Sequence, residues 1–267
     1  MSYRLPTLVL FLSLRLPAAT YAVDGIVVAV DPAARTMLIS HRAIAHYMPA
    51  MLMPFRVENV ADLTVLYPGA RIQFDLAVTK GHALARHIRR SVGPDAALPT
   101  PREKLAIGGK LPDFQLTAQS GRTVSNADLR GKVVALDFIY TRCPLPDVCP
   151  RLSANFATVQ RRFPDQAGGN LVLLSVTVDP DFDTPSVLAD YARRWSAGPA
   201  WLFLTGEVAP LAAALGEIYW ADEGSIGHNS TTSIIGRDGR LAAQIEGSNY
   251  RLEQLVHLIE RQLENHP

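Results

Sequence analysis

Cysteine is nearly absent from this chain: two residues in 267, Cys143 and Cys149. They can form one bridge at most, so a small fold stapled by several disulfides is excluded. Neither charge is in excess, with 26 Lys and Arg against 25 Asp and Glu. That balance, spread along the chain, argues against a nucleic-acid partner. Long apolar runs are missing too; the stretch Thr7 to Leu14 is too short for an ordinary membrane span. Proline is absent between Pro210 and Pro267 although the chain has 19. No internal repeat is visible. What remains has the length for one large domain or two ordinary ones, with the apolar content of a soluble globular protein.

The N-terminus has the layout of a secretory signal. Arg4 supplies a positive start, Thr7 to Leu14 an apolar core, and Pro17 to Ala22 small residues for cleavage after Ala22. Residues 1–22 are therefore expected to direct export, to the periplasm or another extracytoplasmic space where disulfides can form. Residues 24–90 read as short strands: Gly25 to Val30, Thr36 to Ser40, Met51 to Val57, Ala70 to Val78 and Ala83 to Ile88. Five strands in so short a segment predict a small closed all-β barrel, OB-like, because closure removes exposed edges. Residues 91–108, with Gly93-Pro94, Pro99, Pro101 and Gly108-Gly109, carry no hydrophobic period and read as a flexible linker. From 109 to 267 strands alternate with helices, which predicts an α/β domain with a central sheet. Val133 to Tyr140 and Leu171 to Val178 are its core strands. Helices are expected at 151–160, at 185–195 behind the Thr184 cap, at 208–219 and at 252–263.

Both cysteines lie in Thr141-Arg142-Cys143-Pro144-Leu145-Pro146-Asp147-Val148-Cys149-Pro150, between a core strand and a helix. A strand, a thiol-bearing turn and a helix form a thioredoxin-like arrangement. Pro144 and Pro146 keep the loop out of regular helix, so the C-x5-C thiols meet only if the loop folds back. Pro150 suits a first helical turn, which puts Cys149 where the helix dipole favours a thiolate. A structural disulfide, a redox pair and a metal site are all open at this point. A peroxiredoxin-type peroxidase is disfavoured, because Tyr140 and Pro146 stand where a threonine is needed three positions before each cysteine.

Together with Val178-Asp179-Pro180-Asp181-Phe182-Asp183-Thr184-Pro185 and His228, this loop resembles the SCO/SenC family of copper-handling proteins, which have a thioredoxin-like fold. The resemblance covers roughly Gly109 to the C-terminus and implies copper held by Cys143, Cys149 and His228. The family spacing is usually C-x3-C, so Leu145-Pro146 stands as a two-residue insertion. Two thiolates and an imidazole are a soft set suited to Cu(I), and acceptable to Cu(II) or zinc. His228 lies about where a redox thioredoxin places a proline, in the proline-free stretch noted above. Asp179 has two readings, a turn former before Pro180 or a residue close to the metal site.

Three of the five methionines fall within Met48-Pro49-Ala50-Met51-Leu52-Met53. On a strand Met51 and Met53 share a face, and His41 ends the preceding strand. With Phe55 they read equally well as an apolar face packed into a barrel. His41, Met51 and Met53, over about Asp24 to Arg90, resemble the small CusF-like periplasmic copper-binding domains. That resemblance implies a Cu(I) site of His41, Met51 and Met53, with Met48 as a further ligand or a lid. His46 has no assigned counterpart, and His82 and His87 are expected to decorate a strand.

The two resemblances imply an extracytoplasmic copper chaperone delivering copper to a cuproprotein such as a respiratory oxidase subunit, which is compatible with a place near a membrane. The rival is an enzyme, a thiol-disulfide oxidoreductase working through Cys143 and Cys149.

Overall fold

A computed structural model of the chain describes residues 19–48, 51–79, 82–96, 98, 104–166, 168–222 and 225–265. The expected signal segment is outside them up to residue 18. Ala19 to Ala22 open the first strand and pair with Val78 to Asp75, so the expected cleavage point falls within that strand.

The first sheet holds β1 (Ala19–Asp31), β2 (Thr36–His41), β3 (Met51–Arg56), β4 (Arg71–Thr79) and β5 (His82–Arg90), in the order β3-β2-β1-β4-β5, all antiparallel. Alternation sets its inner face: Val23, Val27, Met37, Ile39, Phe55 and Phe74 are buried in one cluster. The closed barrel expected from the sequence is not found. β3 ends at Arg56 and runs into a 3-10 turn at Val60–Val65, and among the described residues no ladder pairs β3 with β5. Beyond the two strands, the edges are joined by one isolated bridge between Val57 and Ala85 and by a 3.0 Å bond from the Glu58 N–H to the Ala85 carbonyl.

The second sheet has seven strands: β6 (Gln115–Ala118), β7 (Thr123–Ser125), β8 (Val133–Ile139), β9 (Leu171–Thr177), β10 (Trp201–Thr205), β13 (Thr231–Ile235) and β14 (Leu241–Glu246). A separate hairpin, β11 (Tyr219–Asp222) with β12 (Ser225–His228), precedes β13. The order is β14-β13-β8-β9-β10-β6-β7, with β8, β9 and β10 parallel and the flanking strands antiparallel. Every residue of β8 and β9 is buried, as expected of parallel strands covered on both faces. The helices are α1 (Asn126–Leu129), α2 (Cys149–Arg162), α3 (Pro185–Arg194), α4 (Ala209–Ala214) and α5 (Leu252–Glu264). α2 connects β8 to β9 and α3 connects β9 to β10, the crossovers that parallel neighbours need. This is a thioredoxin-like fold. No described helix is long and apolar enough to cross a membrane.

The helix expected over 208–219 is shorter. α4 stops at Ala214, and Gly216, at φ +71°, closes it in a Schellman motif. The Gly216 N–H reaches the Ala213 carbonyl at 3.1 Å and the Glu217 N–H the Ala212 carbonyl at 2.8 Å. Tyr219 and Trp220 then enter β11 instead of extending the helix.

A third apolar cluster joins the two sheets. Ile26 and Val28 of β1 are buried with Trp220 of β11, and Leu38, Leu52 and Ile218 pack around them. Ala96 and Leu98, in the segment expected to be a free linker, belong to the same cluster. The Ala96 N–H also bonds the Gly69 carbonyl at 2.8 Å. This part of the connection is packed against the first sheet.

Candidate metal centre

The apolar strand β8 delivers the chain to Tyr140 at the sheet's end, where the thiol loop begins. Buried Asp183 receives the Thr141 N–H at 3.0 Å, and also the hydroxyls of Thr141 and Thr177, anchoring the loop's first residue to the end of β9. Arg142 lies over the Phe182 ring at 4.7 Å, and its Nε contacts the Asp179 carboxylate at 2.6 Å. Asp179 thus acts on the site through the neighbour of Cys143. The loop does fold back: the Cys143 N–H bonds the Tyr140 carbonyl at 3.3 Å and the Val148 N–H the Leu145 carbonyl at 3.1 Å. Pro150 occupies the first turn of α2, as its missing N–H and fixed φ allow.

The two thiols differ, and opposite to the order expected from the helix dipole. Cys149 begins α2, but it is 0% exposed, and burial pushes its thiol well up. Cys143 is half-buried. Hydrogen bonding from Cys149 brings it down to about 6, against a smaller opposing effect of burial. Desolvation outweighs the dipole at Cys149, and Cys143 becomes the resident thiolate.

His228 closes the constellation from β12. Its Nε2 stands 3.6 Å from the Cys149 sulfur, and its ring meets Tyr140 edge-on with centroids 5.9 Å apart. Its Nδ1 is 2.8 Å from Oε1 of Glu217, a buried residue directly after the glycine that ends α4. The same carboxylate accepts the N–H groups of Ser230 at 3.1 Å and Thr231 at 2.8 Å. A carboxylate already accepting two backbone donors takes its third bond from Nδ1–H. The proton is therefore held at Nδ1, and the Nε2 lone pair faces the sulfur. Asn229 secures the turn by accepting from the Ile218 N–H at 2.9 Å and donating to the Gly216 carbonyl at 2.8 Å. The sequence reading missed Glu217, Asp183 and Asp137. Asp137 lies within buried β8, both its oxygens lack a hydrogen-bond partner among the described residues, and burial raises it to about 7.

In the first sheet, register pairs His41 with Met51 and Ile39 with Met53. His41 is 2% exposed, and its Nδ1 lies 2.8 Å from the Arg42 carbonyl. A carbonyl only accepts, so Nδ1 carries the proton. Among the described residues Nε2 is buried without a hydrogen-bond partner, and burial lowers the imidazole's pKa, favouring the neutral form that ligates metal. Met48 and Met53 pack beside the sheet's core, which satisfies the packing reading as well. His46 sits in the turn between β2 and β3, and His87 pairs with Asp75 at 2.9 Å, on the strand surface as expected.

Comparison with known proteins adds the family. Residues 102–264, more than half of the chain, match the family model described as SCO1/SenC. The chain belongs to the SCO1/SenC family. Residues 20–90 match the model described as copper binding periplasmic protein CusF. An SCO2-like protein of Rickettsia prowazekii is 30% identical over 52% of this chain and 68% of its own length. The mitochondrial SCO2 homolog of Bos taurus is 37% identical over 38% of this chain and 36% of its own length. Among solved structures, an SCO1/SenC family lipoprotein from Bacillus anthracis is 27% identical with a TM-score of 0.53, over 59% of this chain and 96% of that one.

The donor set of the SCO1/SenC part fits a soft metal ion: one thiolate, one thiol that ligation would deprotonate, and an imidazole nitrogen with its lone pair presented. Among the described residues, no three His, Cys, Asp or Glu side chains already converge on a single metal position. The Cys143 sulfur stands 3.8 Å from the carbonyl of Leu145, one of the loop's two extra residues.

Glu217→Gln keeps the shape but weakens the acceptor for Nδ1–H. Cu(I) affinity at this site is expected to fall about 10–100-fold in a competition titration; an unchanged affinity contradicts the orienting role. Asp137→Asn tests the buried acid. Its folded-state pKa is raised, so the native state binds the proton more tightly than the unfolded chain and stability falls as pH rises from about 4 to about 7. Chemical denaturation across that window should show the wild type losing on the order of 1–4 kcal/mol relative to Asp137→Asn. A constant difference would show that Asp137 is ionised throughout.

Proposed function

We propose that the chain is an extracytoplasmic copper chaperone that binds Cu(I) through Cys143, Cys149 and His228 and passes it to a cuproprotein, for which the family points to a respiratory oxidase subunit. The observation that carries this reading is the His228 geometry. A buried carboxylate fixes the proton on Nδ1 and leaves Nε2 beside the Cys149 sulfur, as a metal ligand requires and a thiol oxidoreductase does not. The CusF match, and a His41 Nε2 without a hydrogen-bond partner among the described residues, support a second copper site with His41, Met51, Met53 and Met48 as its donors. The family's association with copper and the expected export signal support work outside the cytoplasm, close to the membrane where such recipients reside.

One observation favours a second reading. A thiolate at Cys143 beside a buried thiol at Cys149 is the asymmetry of an attacking and a resolving cysteine. In that reading Cys143 attacks a client disulfide, forming a mixed disulfide and releasing one client thiolate. Cys149 then gives up its proton and attacks the Cys143 sulfur, releasing the second client thiolate and leaving the chain oxidised as a Cys143–Cys149 disulfide.

His228→Ala separates the two. The chaperone reading predicts that copper bound at the thiol site under reducing conditions drops to a small fraction of wild type while dithiol exchange with a model disulfide persists. Full copper retention in His228→Ala removes the three-ligand site, and loss of exchange with copper retained would favour the oxidoreductase.

A further inference from the structure

His41 of the first donor set and Cys143 and His228 of the second line one space. A cleft of about 550 Å³ between the sheets is lined by His41 on one side and by Cys143 and His228 on the other, whereas Cys149 lies behind its wall. The cleft is held by the apolar cluster of Ile26, Val28 and Trp220, with Ala96 and Leu98 packed into it from the connecting segment. Trp220 belongs to the same hairpin as His228: Trp220 pairs with Gly227, and Tyr219 with His228. Gly227 is what lets the indole cross the hairpin, since a Cβ there would stand 2.6 Å from the ring. The docking residue and the metal-ligating histidine are thus positioned by one small element. On the other wall stands His41, whose Nε2 is buried without a hydrogen-bond partner among the described residues.

We propose that copper moves inside the chain, from the His41 and methionine donors of the first sheet to the thiol site, across this cleft and without a second protein. The proposal rests on the chaperone reading above. Cys143 is the entry donor, because its thiol lines the cleft while Cys149 is fully buried. Its sulfur bonds to Cu(I) as a bond to a neutral thioether or imidazole donor breaks. His228 Nε2 bonds next as a second first-sheet donor leaves. Cys149 bonds last, releasing its thiol proton to solvent as the remaining first-sheet donor lets go. The metal stays Cu(I) throughout, so no oxidant or reductant is needed. Direction comes from softness and charge: anionic thiolates hold Cu(I) more strongly than neutral thioethers and imidazole. Tethering supplies the rate, because a docked donor meets its acceptor at a high effective concentration.

The test uses the full chain, reduced, mixed with a substoichiometric amount of a cuprous acetonitrile complex, and follows thiolate-to-copper absorption by stopped flow. A first-order internal phase is expected, its rate constant independent of protein concentration and absent when Met48, Met51 and Met53 are all replaced by Leu. Val28→Lys and, separately, Leu98→Asp disrupt the docking without touching a donor. Each should slow that phase about tenfold or more, leave copper stoichiometry unchanged, and in the copper-free chain shift Trp220 emission to the red. The proposal is overturned if the phase scales with protein concentration, or if the docking variants show the red shift but transfer at the wild-type rate. If instead no copper reaches the thiols at equilibrium even in wild type, the chaperone reading itself fails.

Discussion

The bond between the Glu217 carboxylate and Nδ1 of His228 is the constraint around which the thiol site is arranged, because it decides which nitrogen of a buried histidine is free. Without that carboxylate the ring could carry its proton on either nitrogen. With it, and with the N–H groups of Ser230 and Thr231 on the same two oxygens, the free lone pair is at Nε2 beside Cys149. The carboxylate is in place because Gly216 ends α4 and turns the chain directly into Glu217. A helix stop, a buried acid and a metal-ligand tautomer are therefore one chain of causes.

The thiols show the same dependence on burial. Cys149 sits where the dipole of α2 would lower its pKa, yet full desolvation raises it, and the thiolate settles on Cys143 at the cleft. That asymmetry suits stepwise ligand exchange, with an exposed donor making first contact and a buried one completing the set. It also suits thiol exchange, and His228 is the group that separates the two chemistries. Across the cleft, burial has a parallel effect on His41: a backbone carbonyl takes Nδ1–H, and Nε2 is left without a hydrogen-bond partner among the described residues.

Much of this was legible in the sequence. The continuous apolar runs of β8 and β9 announced the core strands of an α/β domain, and Pro150 announced the start of α2. The thiol loop, with the family resemblance, pointed to His228. The rest depended on long-range contacts that no local pattern carries. Asp183 stands within the motif that carries the family resemblance, but nothing local shows that it holds Thr141, far along the chain, once the fold brings them together. The run Val208 to Tyr219 looks like one helix because apolar residues dominate it, although Gly216 is a stop signal inside it. Barrel closure was overestimated because strand count does not reveal whether the edges run alongside each other. The connecting segment was read as free from its Pro and Gly content, while Ala96 and Leu98 carry just enough apolar surface to pack with Trp220.

X-ray absorption on the reduced, full-length chain loaded with one equivalent of Cu(I), in the variant with Met48, Met51 and Met53 replaced by Leu, tests the three-donor centre most directly. The expected first shell is sulfur from Cys143 and Cys149 and a single imidazole nitrogen, with the nitrogen lost in His228→Ala. A shell of sulfur alone, identical in the two proteins, would contradict the account.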